Sequence, residues 1–278
     1  MKLSNIETNR LKIYAASQKV LKKAGFVPTG EIGEEGSIFI RRKMNIETYR
    51  EYMTAETLMG PNSARILEEL LCKQPLCLSD TDIILDLGCG TGLTSLILAK
   101  EIGAKVYASD LWISADDNKK RFMKWGVGDQ IIPFCEDANA LHYDEKLFNA
   151  LVSVDAYHYF GARREFFTEK ILPLLKDKST VLIGIPGIKD AYTGRAEELL
   201  GEWLGEEADT FQSPASWKEI IGSSDRIESV ETWEMECFDL AWNEWLATEN
   251  EYAVGDKKYF DTHIKPYSCI VGICIKIK

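Results

Sequence analysis

The sequence predicts an α/β fold: a doubly wound, mostly parallel sheet with helices on both faces. From residue 83 onward, short apolar segments rich in β-branched residues alternate with helical segments, and such alternation is typical of parallel sheets. Three glycines directly follow the first apolar segment, where the first strand-to-helix turn would fall. The 278 residues suffice for one large domain, or for a domain with a smaller appendage.

Local signals predict each element of the sheet. Strands are predicted in IILDL, KVYAS, QIIPF, FNALVSV and STVLIGIP, and two later ones in IESVETWEMECF and SCIVGICIKIK. The helix LTSLILAKEI ends at Gly103, and the next helix begins at Ser114, which can cap it, and ends at Gly126. A further helix is predicted over about 163–176, and the region 188–250 is rich in helix and tryptophan.

Two segments precede the sheet. Residues 45–72 are predicted to be helical with a break at MGPNS, after which Asn62 or Ser63 caps the second helix. Residues 1–43 are predicted to form a small αβ appendage, in which an amphipathic helix over 17–26 precedes the strand GSIFIRRK. The chain is therefore divided into this appendage and one large domain.

The appendage resembles the C-terminal end of GNAT acetyltransferases, where a similar helix is followed by Gly-Phe and closing strands. The pyrophosphate-binding loop Q/R-x-x-G-x-G/A of that family is absent from the chain, which excludes an intact acetyltransferase. The alternative interpretation is a piece that serves packing or dimerisation. On either interpretation the large domain spans residues 44–278.

Composition narrows the classes of partner. The net charge of −11 disfavours nucleic acid as a partner. No stretch approaches the roughly 20 apolar residues of a membrane span, and the start MKLSNIETNR lacks the apolar core of a secretory signal. The seven cysteines include no C-x-x-C pair, so neither a zinc site nor another metal site is predicted. Reduced thiols indicate a cytoplasmic protein.

The loop after the first strand reads D-x-G-x-G-x-G, from Asp86 to Gly92. A dinucleotide-binding loop would read G-x-G-x-x-G, but Leu93 stands at the third glycine position. The spacing resembles that of class I S-adenosylmethionine (SAM)-dependent methyltransferases, and the resemblance extends from about residue 45 to the end. It implies a Rossmann-like sheet of seven strands in the order 3-2-1-4-5-7-6, with strand 7 antiparallel.

The resemblance also implies which residues bind the cofactor. In the family, the glycine loop passes beneath the methionine and ribose of SAM, and an acidic residue after the second strand accepts hydrogen bonds from both ribose hydroxyls. The residues after the third strand contact the adenine edge. Carried over to this chain, the cofactor-binding residues are Asp86, Gly88, Cys89, Gly90, Gly92, Asp110, Leu111, Asp137, Ala138 and Asp155.

Two of these assignments carry more detail. Asp86 is expected either to hold the methionine end of SAM or to order the loop. Leu111, with the neighbouring Trp112, is expected to pack against adenine. Tyr49, Tyr52 and the MGPNS loop precede the first strand, where related enzymes fold a lid over SAM, and Tyr49 or Tyr52 is expected to touch the cofactor.

The stretch VSVDAYHYFG after the fourth strand lies where the family places the transferable methyl group. It offers Asp155, Tyr157, His158 and Tyr159. His158 is the candidate base, because its unperturbed pKa of about 6.5 suits proton transfer, and Tyr157 is a second catalytic candidate. The alternative role of His158 is packing or orientation of the substrate. His142 is expected at the surface, and His263 is a weaker candidate for the pocket mouth.

The segment of about 186–250 is expected to be an insertion that covers the substrate. Two interpretations of its aromatic residues stand: a cage for a cationic amine, or helices packed on the sheet, the second being favoured. These residues are Trp203, Phe211, Trp217, Trp233, Phe238, Trp242 and Trp245.

These features together predict a SAM-dependent methyltransferase, of class EC 2.1.1, with a small-molecule acceptor and S-adenosylhomocysteine as product. The motifs N/D-P-P-Y/F and Pro-Cys of other methyltransferases are absent, and the acidic charge agrees with a small acceptor. A homodimer is compatible with the sequence. The alternative is a SAM-binding regulatory protein without methyltransferase activity, and the glycine spacing disfavours a nicotinamide oxidoreductase.

Overall fold

A small antiparallel sheet forms near the N-terminus of the computed structural model, which describes residues 11–12, 26–33, 36–41 and 44–278. Its strand order is β1-β3-β2, with β1 (Leu11–Lys12), β2 (Phe26–Gly33) and β3 (Gly36–Arg41).

The elements predicted for the appendage are found in part. The strand predicted in GSIFIRRK corresponds to β3. Residues 17–25 of the predicted helix lie outside the described residues, and Phe26 begins β2.

The large sheet has seven strands in the order β6-β5-β4-β7-β8-β10-β9. Strand β10 runs antiparallel to β8 and β9, and the other neighbouring strands pair in parallel. This is the predicted order 3-2-1-4-5-7-6, so the predicted fold class is confirmed. The strands are β4 (Ile83–Leu87), β5 (Lys105–Asp110), β6 (Ile131–Cys135), β7 (Phe148–Val154), β8 (Leu175–Ile188), β9 (Ile227–Glu234) and β10 (Ser268–Ile277).

Helices connect these strands. Over the described part of the chain they are α1 (Ser63–Lys73), α2 (Leu93–Ile102), α3 (Ala115–Lys124), α4 (Ala196–Leu204), α5 (Pro214–Ile221), α6 (Phe238–Leu246), α7 (Glu251–Asp256) and α8 (Lys265–Tyr267). Within that part, no helix combines the length and apolar character that crossing a bilayer requires.

Two predicted helices differ from those observed. The helix expected over about 163–176 is a π turn at Phe167–Ile171 and a 3-10 turn at Leu172–Leu174, after which β8 begins at Leu175. Pro173 has no backbone N–H to continue a helix. The helix expected ahead of MGPNS is a 3-10 helix, Ile46–Tyr52.

The helix starts predicted from capping residues are correct. The side chain of Asn62 accepts a hydrogen bond from the N–H of Ala64, and α1 begins after it. The side chain of Ser114 accepts from the N–H of Asp117 and starts α3. Each cap satisfies a backbone donor that the helix itself leaves unpaired.

Both faces of the large sheet are buried. Successive residues of β4 face opposite sides: Ile84 belongs to one hydrophobic cluster and Leu85 to the other. Trp217 of α5 packs in the cluster of Leu85, whereas Trp242 and Trp245 of α6 pack in the cluster of Ile84. The helices therefore cover both faces, as a parallel sheet requires.

A buried ion pair anchors the loop that precedes α1. Arg65 of α1 is only 7% exposed, and its guanidinium binds both carboxylate oxygens of Glu244 on α6, at 2.8 and 2.9 Å. Asn62 Nδ2 donates to the same carboxylate at 2.6 Å. The middle of the loop is held by a hydrogen bond that Thr91 Oγ1 donates to the carbonyl of Thr57 at 2.7 Å. The loop at 53–62 is thus fixed over the carboxyl edge of the sheet.

Gly92 and Gly103 bracket α2 and allow a matched test of its packing. Both have positive φ, +85° and +78°. A Cβ on Gly92 would overlap the ring of Phe122, whereas a Cβ on Gly103 would meet nothing within 4 Å.

We expect Gly103→Ala to lower the free energy of unfolding by about 1–2 kcal/mol, from left-handed strain alone. Gly92→Ala should lower the free energy of unfolding by about a further 1–3 kcal/mol, because the added Cβ also overlaps the ring of Phe122. Urea denaturation of both variants measures the difference. Equal losses in the two variants would contradict the packing assigned to Phe122.

Candidate active site

A cavity of about 270 Å³ lies at the carboxyl ends of β4, β5, β6 and β7. This is the edge at which open α/β sheets bind ligands. Five segments contribute its lining residues: 57–63, 87–94, 109–112, 136–139 and 154–160.

The glycine loop forms the floor of this cavity. Gly88 and Gly90 line it, with φ of +73° and +53°. A Cβ on Gly88 would overlap Ala156, and a Cβ on Gly90 would lie 2.9 Å from the sulfur of Met59. The need for glycine therefore comes from backbone conformation and from the chain's own side chains, in addition to any ligand. Cys89 also lines the cavity, whereas Gly92 does not.

Asp86 orders the loop rather than lining the cavity. Its buried Oδ2 accepts hydrogen bonds from Thr94 Oγ1 at 2.7 Å and Ser95 Oγ at 2.5 Å, both in the first turn of α2. The other oxygen of Asp86, Oδ1, has no hydrogen-bond partner within the described ranges. Burial raises the pKa of Asp86 to about 6, against the lowering effect of the two hydroxyls. This geometry corresponds to the predicted role of ordering the loop, the alternative having been to hold the methionine end of SAM.

Asp110, the last residue of β5, lines the cavity and connects two loops. Its Oδ2 accepts from the N–H of Gly90 at 2.8 Å, and its Oδ1 accepts from the N–H groups of Trp112 and Ile113 at 2.8 and 2.9 Å. The following Leu111 and Trp112 are exposed at the cavity rim. The three backbone bonds hold the carboxylate in one orientation.

The turn after β6 forms another wall. Asp137 is exposed, and its Oδ1 accepts from the backbone N–H and the side-chain amide of Asn139, at 2.8 and 2.9 Å. Ala138 is buried, and both residues line the cavity. The sequence reasoning missed Glu136 beside them: it also lines the cavity, and its buried Oε2 has no hydrogen-bond partner in the described part of the chain.

Asp155 follows β7 in a strained conformation. Its φ is +56°, in the left-handed region that side chains with a Cβ rarely adopt. Its N–H donates to the carbonyl of Gly184 at 2.8 Å, and its half-buried carboxylate lies against Gly60 of the loop that covers the cavity. Burial, and secondarily the charge of Asp256, raise the pKa of Asp155 to about 7.

Neither residue expected to be catalytic lines the cavity. Tyr157 is fully buried, and its ring packs among aromatic neighbours that include Phe166 and Trp217. His158 is 2% exposed and packs behind Tyr159, with ring centroids 4.0 Å apart. Burial lowers the pKa of His158 to about 3, so its imidazole is neutral at physiological pH.

Tyr159 follows Tyr157 and His158 in the sequence, but unlike them it lines the cavity. Residues Tyr157–Tyr159 form a 3-10 turn, so consecutive side chains face different directions. The ring of Tyr159 meets that of Trp112 edge to face at 5.3 Å. The two exposed aromatic rings lie on the rim together.

The other predicted contacts lie away from the cavity. The hydroxyl of Tyr49 donates to Glu101, and Tyr52 packs edge to face on Trp125. Of the segment expected to form the lid, the MGPNS loop does reach the cavity, and Met59, Gly60, Pro61 and Ser63 line it.

The remaining histidines do not reach the cavity wall. His142 is exposed, as expected. His263 lies 3.2 Å from Glu202, and Thr262 hydrogen-bonds its ring at 2.8 Å.

The segment 186–250 contributes no described residue to the cavity, and its aromatic residues pack against one another and the sheet. Trp203 and Trp245 both donate their indole N–H to Asp256, each at 2.8 Å. The packing interpretation therefore describes these residues, and no aromatic cage forms at this cavity among them.

The cavity lining is acidic. Among its described residues four are carboxylates, Asp110, Glu136, Asp137 and Asp155, and none is Lys, Arg or His. In the described part of the chain, no three His, Cys, Asp or Glu side chains are grouped as a metal site would need. The negative charge of the lining is therefore not balanced by a cationic side chain among the described lining residues.

Residues 84–178 match a family described as a methyltransferase domain. This match confirms the predicted relation to methyltransferases, and it does not reach the appendage. A search of curated protein sequences gives no match.

Solved structures share the fold. Phosphoethanolamine N-methyltransferase 2 from Haemonchus contortus, solved with SAM, has a TM-score of 0.62 and 16% identity, over 88% of this chain and 64% of that one. Geranyl diphosphate C-methyltransferase from Streptomyces coelicolor A3(2) was solved with S-adenosylhomocysteine, Mg²⁺ and geranyl diphosphate. It has a TM-score of 0.57 and 13% identity, over 83% of this chain and 79% of that one. A putative sarcosine dimethylglycine methyltransferase from Galdieria sulphuraria has a TM-score of 0.56 and 14% identity, over 81% of this chain and 83% of that one. At these identities the likeness establishes the fold.

The raised pKa of Asp155 predicts a pH-dependent stability difference. Its carboxyl releases its proton near pH 4 when unfolded but near pH 7 when folded. Between these values the unfolded state holds fewer protons, so this group makes the fold less stable as pH rises.

We expect Asp155→Asn to raise the free energy of unfolding. The gain should increase between about pH 4 and pH 7, by up to about 1.4 kcal/mol per pH unit, and stay constant above pH 7. Urea denaturation across this range measures the gain. Asp137→Asn is the control, because hydrogen bonds from Asn139 lower the pKa of that exposed carboxyl. A pH-independent effect of Asp155→Asn would contradict the environment assigned to Asp155.

Proposed function

We propose, on the premise that residues 84–178 form a methyltransferase domain, that this chain transfers a methyl group from SAM to a small-molecule acceptor. S-adenosylhomocysteine is the second product. The observation that carries the proposal is the convergence of the glycine loop, Asp110 and the turn at Asp137 on one cavity. Structural neighbours with the same fold were solved with SAM or S-adenosylhomocysteine.

The residues present fit SAM chemically. SAM carries a sulfonium and an ammonium group, and the cavity offers four carboxylates without a cationic side chain. Two buried carboxylate oxygens nearby, Oε2 of Glu136 and Oδ1 of Asp86, have no hydrogen-bond partner among the residues that the structure describes. Buried charges of this kind are stabilised by a partner of opposite sign.

The cofactor contacts are assigned as follows. Asp110 would accept hydrogen bonds from the ribose hydroxyls, since its carboxylate retains acceptor capacity beyond its three backbone bonds. Asp137 and Ala138 would contact the adenine edge. Leu111 and Trp112 would cover the ring from the rim. Gly88, Cys89 and Gly90 would form the floor, while Asp86 and Gly92 would act by shaping it.

The chain's own contribution to the reaction is placement. When bound, SAM supplies a methyl group on a positively charged sulfur, which an acceptor lone pair can displace. Residues of the loop at 53–62 line one side of the cavity, and the strand ends fix the cofactor residues. Orientation of this kind can supply most of the acceleration. Tyr157 and His158 would support the wall by packing, and the reaction as proposed does not depend on them as bases.

A small acceptor agrees with the size and charge of the site. The cavity of about 270 Å³ is covered by the loop at 53–62, and the net charge of −11 disfavours nucleic acid. Neighbours are named for geranyl diphosphate, phosphoethanolamine and sarcosine. We also propose that the segment 186–250 supports the sheet rather than covering the substrate.

The domain division and location remain proposals. Residues 1–43 would be a separate appendage for packing or self-association as a homodimer, beside the domain at 44–278. A cytoplasmic location agrees with seven cysteines that form no disulfide.

A second candidate function is a SAM-binding regulatory protein without methyltransferase activity. One observation favours it: the two residues expected to be catalytic, Tyr157 and His158, are not on the cavity wall. Turnover of labelled SAM against a panel of amines, alcohols, thiols and carboxylates separates the two candidates. Methylated product supports the enzyme, and its absence throughout the panel despite tight SAM binding supports the regulator.

We expect calorimetric titration with S-adenosylhomocysteine to show one site per chain. Asp110→Asn should weaken this affinity at least tenfold, about 1.4 kcal/mol, because an amide cannot accept all the bonds that the carboxylate accepts. Asp129→Asn, in an exposed turn before β6, is the matched control and should leave the affinity unchanged. No binding of S-adenosylhomocysteine, or tight binding of NAD instead, would contradict the proposal.

A further inference from the structure

We propose that the methyl acceptor is an amine and that Asp155 receives it, binding its ammonium group and taking a proton from the nitrogen that is then methylated. This inference rests on the proposed function and names the class of acceptor. It follows from the position of Asp155, from the charge of the cavity and from the aromatic rim.

Asp155 is placed as a binding group rather than a structural one. It lies on the cavity wall directly after β7, and no described residue donates a hydrogen bond to its carboxylate. Its positive φ is strain that the fold maintains through the hydrogen bond to Gly184. Strain of this kind concentrates at functional sites. A half-buried carboxylate without a partner is completed by a cation.

The charge around Asp155 selects against an anionic acceptor. Of the four cavity carboxylates, Asp110 and Asp137 already accept hydrogen bonds from the chain, whereas Asp155 does not. Asp256 on α7 adds negative charge to Asp155, and Glu207 adds it to the adjacent Tyr159. A phosphate or carboxylate acceptor would meet these groups without a cationic side chain on the cavity wall. An ammonium group would be attracted to them.

The rim favours a cationic nitrogen as well. The exposed ring of Tyr159 lies on the cavity rim and interacts electrostatically with the carboxylate of Asp155. Aromatic faces attract ammonium groups. Tyr159 thus contributes an aromatic face to the proposed amine-binding wall, outside the segment 186–250.

The proton transfer balances within the site. An ammonium N–H bond breaks and its electron pair stays on nitrogen, while the proton goes to the Asp155 carboxylate. The nitrogen lone pair then forms the N–C bond, and the electron pair of the breaking S–C bond stays on sulfur. The pKa of Asp155, raised to about 7 by burial and Asp256, suits a proton acceptor near neutral pH. The groups that face it are Gly60 of the covering loop, Tyr159 and Asp256.

A binding experiment tests the role of Asp155 without knowledge of the natural acceptor. Sinefungin carries an amine where SAM carries its methyl group, and S-adenosylhomocysteine carries neither. We expect the wild-type protein to bind sinefungin at least tenfold more tightly than S-adenosylhomocysteine. Asp155→Asn should reduce this preference to within twofold; the readout is the ratio of the two affinities, so that any effect of the substitution common to both ligands cancels. Asp209→Asn, an exposed carboxylate on the same chain, is the control and should keep the preference.

The outcomes separate the two proposals. Equal affinities of the wild-type protein for both ligands, or a preference that survives Asp155→Asn, would overturn the role of Asp155 while leaving SAM binding intact. Failure of S-adenosylhomocysteine to bind would instead contradict the proposed function.

A transfer assay tests the acceptor class. Methyl-labelled SAM is incubated with benzylamine, benzyl alcohol and benzoate, which differ in the reacting group. We expect label in the amine and at least a tenfold lower kcat/KM for it in Asp155→Asn. Equal labelling of the alcohol or the carboxylate would overturn the assignment to amines. The sinefungin comparison decides the role of Asp155 whether or not a given probe is a substrate.

Discussion

The carboxylate of Asp110 is the interaction on which the site depends. It accepts backbone N–H groups from Gly90 in one loop and from Trp112 and Ile113 in the next, so it sets the distance between the floor and the rim of the cavity. The loop can reach it only because glycines adopt positive φ there. Asp86 holds the following helix turn by two hydroxyl bonds. Two carboxylates at the ends of adjacent strands thus shape one loop.

The same edge of the sheet accumulates negative charge that the chain does not neutralise. Asp110 and Asp137 are stabilised by backbone N–H groups, but Asp155 and one oxygen of Glu136 are not. Burying carboxylates without partners costs free energy, and the raised pKa of Asp155 reflects that cost. A cationic cofactor and a cationic acceptor would both recover it. Cavity charge therefore connects the fold to the chemistry that we propose.

The sequence was sufficient for the parts that local rules govern. Alternating segments predicted a mostly parallel sheet, the resemblance carried by the glycine spacing implied its strand order, and the caps at Asn62 and Ser114 followed from hydrogen-bonding side chains. The sequence was insufficient where one backbone angle decides in which direction the following side chains point. The positive φ of Asp155 and the 3-10 turn after it bury Tyr157 and His158 and bring Tyr159 to the cavity. Spacing alone could not show this, whereas packing on the sheet, the interpretation favoured for the aromatic residues of 186–250, does describe them.

A crystal structure of the protein with S-adenosylhomocysteine tests the central claim most directly. The account predicts the ligand in the cavity above Gly88 and Gly90, with both ribose hydroxyls within hydrogen-bond distance of Asp110 and the adenine edge at Asp137 and Ala138. Its sulfur should face the side of Asp155. A ligand bound elsewhere, or one whose ribose does not contact Asp110, would contradict the account.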